Sequence, residues 1–167
     1  MIKAIGLSII FLSLTKIINF YGQGGIRNIK ITRDLILFLV NVKNEVNYFS
    51  TPILDTFKNT KSDYFSEFFN NLHNDIEKSI EVDKEFLKCY ENFKNKCDYS
   101  ILKDKIFLNI GKLLYAKDKV DFNSNIDYII DYLKKKVELE EEKARDDEIL
   151  YRKLSIFISL AVIIILY

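Results

Sequence analysis

Both ends of this chain are apolar and the middle is not, and that pattern restricts what the chain can become. Residues 154–167 run without a charge, and residues 2–21 are nearly as apolar, broken by Lys3, Lys16 and Asn19. Between them the sequence is rich in Lys, Glu, Asp and Asn. A helix rises about 1.5 Å per residue and needs about 20 residues to cross roughly 30 Å of hydrocarbon. The first segment meets that length if Lys16 snorkels or faces a partner helix. The last covers about 21 Å and becomes adequate if Arg152 and Lys153 extend to the head groups. The expected organisation is therefore a membrane helix at 1–22, a helical domain at 26–153 and a second membrane helix at 154–167. A signal peptide at one end and a buried core helix at the other fits less well, because no small-x-small cleavage site follows Leu14.

Flanking charge sets the expected orientation. Arg27, Lys30 and Arg33 follow the first segment, and Lys143, Arg145, Arg152 and Lys153 precede the second. The positive-inside bias places the middle of the chain in the cytoplasm and both termini across the membrane.

The middle reads as all-α. The chain has one proline, and no glycine lies between Gly25 and Gly111, so helix breakers are few. Leu35, Leu39, Val42 and Val46 recur every three or four residues, which predicts a helix over 26–49 with one core face. Thr51 can cap a helix that Pro52 starts, since the first helical N–H has no partner inside the helix. Ser62 or Asp63 opens a helix carrying Tyr64, Phe65, Phe68, Phe69, Leu72 and Ile76. Phe86, Leu87, Tyr90 and Phe93 mark a helix near 82–96. Ile106, Ile110, Leu113 and Leu114 mark one near 101–115. The last begins near Asp121 or Ser124, carries Ile126, Ile129, Ile130, Leu133 and Val137, and can run on through the charged stretch into the C-terminal segment. The result is a bundle of about six helices, large enough to bury a core, flanked by the two membrane helices. The glycines at 22–25 are a candidate hinge.

Candidate chemistry is sparse. The formal net charge of +1 gives no basic field for nucleic acid. The aromatic group Tyr64, Phe65, Phe68 and Phe69 reads as core, not a base-stacking platform, because no basic stripe accompanies it. His73 is the only histidine and reads as a solvated or capping residue, without the partners of a Ser-His-Asp arrangement. Cys89 and Cys97 fit free thiols in a cytoplasmic domain better than a bridge or half a metal site. Gly111-Lys112 has the last two residues of a P-loop stem but neither the first glycine nor the following Ser/Thr. The acidic run at 138–148 reads as a solvated helix face without a cation-ligand set. No enzyme, cofactor or small-molecule substrate is expected.

Three stretches are similar to one family. Arg33-x-Leu35-x3-Leu39-x2-Val42-x2-Glu45-Val46-x-Tyr48-x2-Thr51-Pro52-Ile53 resembles the first helix and Thr-Pro corner of stage III sporulation protein AB. Ile110-Gly111-x2-Leu114-x3-Asp118, followed by Ile126, resembles that family's Leu-Gly-x2-Leu-Gly-x2-Asp stretch. Tyr151-Arg152-x-Leu154 resembles its Tyr-Arg-x-Leu-Gly approach to the final membrane helix. Order, spacing and length agree across nearly the whole chain. Tyr115 and Ser155 stand where the family has glycine, and Phe122 where glutamine is usual.

The resemblance implies a non-enzymatic part in endospore formation. The family is similar to the platform subunit of type II secretion and type IV pilus machines. It belongs to the channel complex between mother cell and forespore, in which a separate cytoplasmic ATPase supplies the motor. The implied location is the mother-cell-derived membrane around the forespore. Glu141, Arg145 and Glu148, spaced four and three apart, share one side of a helix and form the candidate face for that ATPase. A membrane-anchored helical adaptor or regulator unrelated to sporulation is the alternative.

Overall fold

The computed structural model describes the backbone of residues 2–49, 51–78 and 81–166, and their side chains apart from those of 2–12, 14–24, 155, 159–160 and 162–166. Among the described residues there are six α-helices and no strand: α1 (Ile2–Phe49), α2 (Ile53–Asn59), α3 (Ser66–Ile76), α4 (Val82–Lys96), α5 (Lys105–Lys112) and α6 (Lys119–Leu166). Short 3₁₀ turns at Ser100–Lys103 and Leu113–Tyr115 flank α5. The terminal segments are not additional helices. Each belongs to the first or last element of the bundle.

The chain divides into two compact units, Lys30–Val137 and the pair Met1–Ile29 with Glu138–Tyr167. In the first, α3 is central because its apolar residues recur at three- and four-residue intervals and two of them are rings, with a third, Phe65, at its N-cap. Phe65, Phe68 and Phe69 are at most 1% exposed. Phe69 stacks on Phe38 of α1 at 4.0 Å and meets Phe57 of α2 edge-on at 5.1 Å. Phe68 lies 5.9 Å from Phe86 and 5.4 Å from Phe93, both of α4, and 5.4 Å from Phe107 of α5. Tilted and edge-to-face contacts of this kind suit the ring quadrupole and add to the burial of apolar area. The expected stripes of α1 and α6 are also buried: Leu35, Leu39, Val42 and Val46 on one, Ile126, Ile129, Ile130, Leu133 and Val137 on the other.

Several local expectations are corrected. The helix passes through Gly22–Gly25 without a break, since glycine in a helix costs about 1 kcal/mol against alanine but does not forbid the conformation. Pro52 itself is the N-cap of α2 and no side chain caps that helix. Thr51 therefore has no capping role; instead the Pro52 carbonyl accepts from both N–H and Oγ1–H of Thr56, each at 3.0 Å. The expected helix over 101–115 is divided at Asp104, whose extended backbone and side chain cap α5 by accepting from Ile106 N–H. The last helix starts at Lys119, earlier than Asp121, because the Asp118 carboxylate accepts from Val120 N–H (2.9 Å) and Asp121 N–H (2.8 Å). Leu87 is not core but 50% exposed.

His73 is not solvated. It is 2% exposed, with Nε2 3.2 Å from Asp55 Oδ1 and 3.6 Å from Glu77 Oε1. The Phe69–Leu72–Ile76 face of α3 carries it into the core, where both carboxylates lie beside Nε2 and Nδ1 is buried without a hydrogen-bond partner.

No helix among the described residues is long and apolar enough to cross a membrane. The segments 1–22 and 154–167, where membrane helices are expected, lie for the most part outside the residues whose side chains are described.

Candidate interaction surfaces

The unit Lys30–Val137 is held by polar contacts that link elements far apart in sequence. Lys43 Nζ of α1 donates to both carboxylate oxygens of Asp127 on α6, at 2.6 and 2.8 Å. One helical turn along, the amides of Asn47 and Asn123 pair reciprocally at 2.8 and 3.0 Å. Asp104 accepts from Lys136 Nζ (2.8 Å) and Tyr132 O–H (3.0 Å), both on α6. Partial burial alone would raise its pKa, but the bonds from Lys136, the Ile106 amide and the Tyr132 hydroxyl hold the carboxyl below its usual range. These pairs position helices, and none forms a reactive constellation.

The thiols are similarly quiet. Both cysteines are free; Cys89 is buried and Cys97 half-buried. Cys89 Sγ–H donates to Asp75 Oδ2 at 3.3 Å, and burial together with that carboxylate pushes the thiol up to about 12, so it carries little thiolate near neutral pH. Among the described residues, no group of three His, Cys, Asp or Glu side chains is arranged to hold a metal ion.

The motif residues fall into distinct physical roles. Pro52 and Asp118 begin helices. Gly111 permits a close approach: a Cβ there would lie 2.8 Å from Phe86 Cδ1 and 2.9 Å from Cε1. Phe86 is 4% exposed and set edge-on against Phe68, so the ring has little room to yield. Gly111→Ala is expected to destabilise the protein by about 1–3 kcal/mol through overpacking, although alanine is the better helix former. Urea unfolding of the full chain, followed by circular dichroism, checks this, and Phe86→Leu should recover part of the loss. An unchanged midpoint for Gly111→Ala would show that α4 and α5 separate freely.

Two departures from the family pattern also have structural roles. Tyr115 meets Asp83 of α4, and burial of its hydroxyl with that hydrogen bond pushes the phenol up to about 12. Phe122 is 1% exposed and fills the core.

Other motif positions face outward. Glu45 is exposed and Tyr48 is 81% exposed, while Thr51 and Tyr151 are half-buried. Arg27, Lys30, Arg33, Arg152 and Lys153 are all exposed. Of the candidate partner face, Arg145 and Glu148 are exposed, whereas Glu141 is half-buried and engaged within the chain. The sequence reading missed Asp34 and Asp127, which organise contacts across 28 and 84 residues. Neither has a local signature. Asp104 had one: it directly precedes the helical Lys105-Ile106-Phe107 run.

Neither the curated proteins nor the solved structures compared contain a match to this chain. The family model for stage III sporulation protein AB matches residues 3–167. That span contains all three motif stretches, the helical core they help to build and both apolar ends, and the chain belongs to the stage III sporulation protein AB family.

Proposed function

We propose that this stage III sporulation protein is a non-enzymatic membrane platform component of the mother cell–forespore channel complex, presenting its helical domain to a cytoplasmic ATPase. One observation carries the membrane part of this reading. Ile149, Leu150, Leu154, Ile156 and Phe157 on α6 are between 47% and 70% exposed. Five large apolar side chains bared within nine residues are costly in water and favourable against lipid or a membrane partner. Arg152 and Lys153 sit among them, able to reach the head groups. The same two helices that carry the apolar ends, α1 and α6, also supply core residues of the unit Lys30–Val137. The ATPase part rests on the family resemblance to secretion platforms and on the incomplete phosphate cradle at Gly111-Lys112, which leaves nucleotide chemistry to a partner.

Topology is tested by fusions. A cytoplasm-active reporter placed after Gly25 and another within 121–131 should both report inside the cell. A signal from the opposite side at either site would overturn the orientation and the docking of a cytoplasmic motor with it.

Docking is tested on the full chain in detergent. Reversing two charges on the candidate face, E141K with E148K, is expected to weaken capture of the cognate P-loop ATPase several-fold with helical content unchanged. Undiminished capture by a folded double variant would remove this face as the docking site.

A further inference from the structure

Charge is unevenly distributed along this chain. Residues 1–33 hold Lys3, Lys16, Arg27, Lys30 and Arg33 and no Asp or Glu, so the remainder carries 20 of the 25 cations against all 24 acids. Ile26, Arg27 and Lys30 are exposed, Ile26 by 50%. On the continuous helix α1, Ile26 and Arg27 stand four and three residues before Lys30, so the three neighbour one another on its surface. The first acid on α1, Asp34, does not neutralise them: its carboxylate is held by the Ser62 hydroxyl and the amides of Asp63 and Tyr64. Arg33 is exposed but engaged within the chain, and the site does not depend on it.

We propose that Arg27 and Lys30 bind the head group of an anionic phospholipid, with Ile26 beside its glycerol end, so that the protein gathers acidic lipid where α1 enters the membrane. The proposal rests on the membrane reading above and adds the ligand. Depth supports it. Along α1, Arg27 lies about 9 Å and Lys30 about 14 Å beyond residue 21, and the head-group layer is about 5–7 Å deep on each side of the hydrocarbon. Arg27 thus starts near the outer edge of that layer, and Lys30 stands within a Debye length of about 8 Å from it. Helical side chains lean toward the N-terminus, which on α1 is toward the apolar segment 2–21, so both cations lean back to the head groups. Charge supports it as well. At the same depth α6 carries exposed Asp146, Asp147 and Glu148 together with Arg145, Arg152 and Lys153. That helix balances its charges, whereas the entry of α1 holds cations without an acid. Anionic lipid is therefore favoured beside α1.

The test uses the full chain in mild detergent at low salt, titrated with phosphatidylglycerol, with phosphatidylcholine and, as the free anion, with glycerol phosphate. Native mass spectrometry counts the molecules retained per chain. Each cation close to an anionic surface contributes about fivefold in binding, so the wild type should prefer phosphatidylglycerol over phosphatidylcholine by about twentyfold. R27Q/K30Q should bring the two lipids close to equality. K58Q/K61Q, which removes the same charge from exposed positions on and after α2, should keep the preference. Circular dichroism must show the same helical content for all three proteins. Equal retention of both lipids by the wild type overturns the proposal, and so does an undiminished preference in R27Q/K30Q. Glycerol phosphate bound as tightly as phosphatidylglycerol overturns it by assigning the cations to a free anion. A wild type without lipid preference, whose R27Q/K30Q variant loses capture of the ATPase, assigns them to that partner instead. Alkaline carbonate separates the two levels of failure: release of the wild type from membranes would sink the membrane reading itself, whereas a chain that resists extraction and shows no lipid preference sinks this proposal alone.

Discussion

Phe68→Ala is expected to destabilise the protein by about 3–5 kcal/mol, the cost of removing a large ring from a closed core. Phe68 is 1% exposed and has four rings around it: Phe69 at 5.0 Å, Phe93 and Phe107 at 5.4 Å, and Phe86 at 5.9 Å. These neighbours come from three helices, so no single side-chain rotation can fill the space left by the ring. The loss therefore includes both the transfer energy of the ring and the unmade contacts of its neighbours. Urea unfolding of the full chain, monitored by far-ultraviolet circular dichroism, measures it as a lowered midpoint. Leu87→Ala on α4 is the control: half-exposed, it should stay within about 0.5 kcal/mol of wild type. A loss below about 1 kcal/mol for Phe68→Ala would mean that α3 is not the centre of the core.

Asp34→Ala is expected to cost about 2–4 kcal/mol, because one carboxylate holds the connection between α2 and α3 against α1. Asp34 accepts from the Ser62 hydroxyl at 2.5 Å and from the amides of Asp63 and Tyr64 at 3.1 and 3.2 Å. Ser62 Oγ in turn accepts from Phe65 N–H at 2.8 Å, the bond that starts the turn leading into α3. Ser66 Oγ–H donates to the Ser62 carbonyl and accepts from Ser62 N–H at 2.9 Å. Ser62 is 9% exposed, so deleting its acceptor strands a polar group where water replaces it poorly. Hydrogen exchange at the amides of Asp63 and Tyr64 should accelerate along with the fall in unfolding midpoint. Asp34→Asn, which retains an acceptor, should lose less. Unaltered exchange at those amides would show that the turn is held by packing alone.

Family membership decides for a sporulation role over an unrelated adaptor. Residue order and spacing carried that assignment, as they did the all-helical class. The stripes Leu35–Leu39–Val42–Val46, Phe65–Phe68–Phe69–Leu72–Ile76 and Ile126–Ile129–Ile130–Leu133 are buried where their periodicity placed them. A helix repeats its faces every 3.6 residues, so which side chains turn inward is written locally.

What could not be read locally depended on neighbours brought from elsewhere in the chain. His73 has polar residues beside it in sequence, yet the apolar face of α3 draws it inward, where Asp55 meets its ring. Thr51-Pro52 looks like a capping pair, but the corner is tied through Thr56 to the Pro52 carbonyl. Gly111 looks like a fragment of a phosphate loop, and its reason is the Phe86 ring pressed against the backbone. Lys43 finds Asp127 across 84 residues and Asp34 finds Ser62 across 28. Hydrophobic periodicity reports how each helix divides core from solvent. The partner of a charge, and the clearance at a glycine, are set by distances between helices, which exist only once those helices have packed.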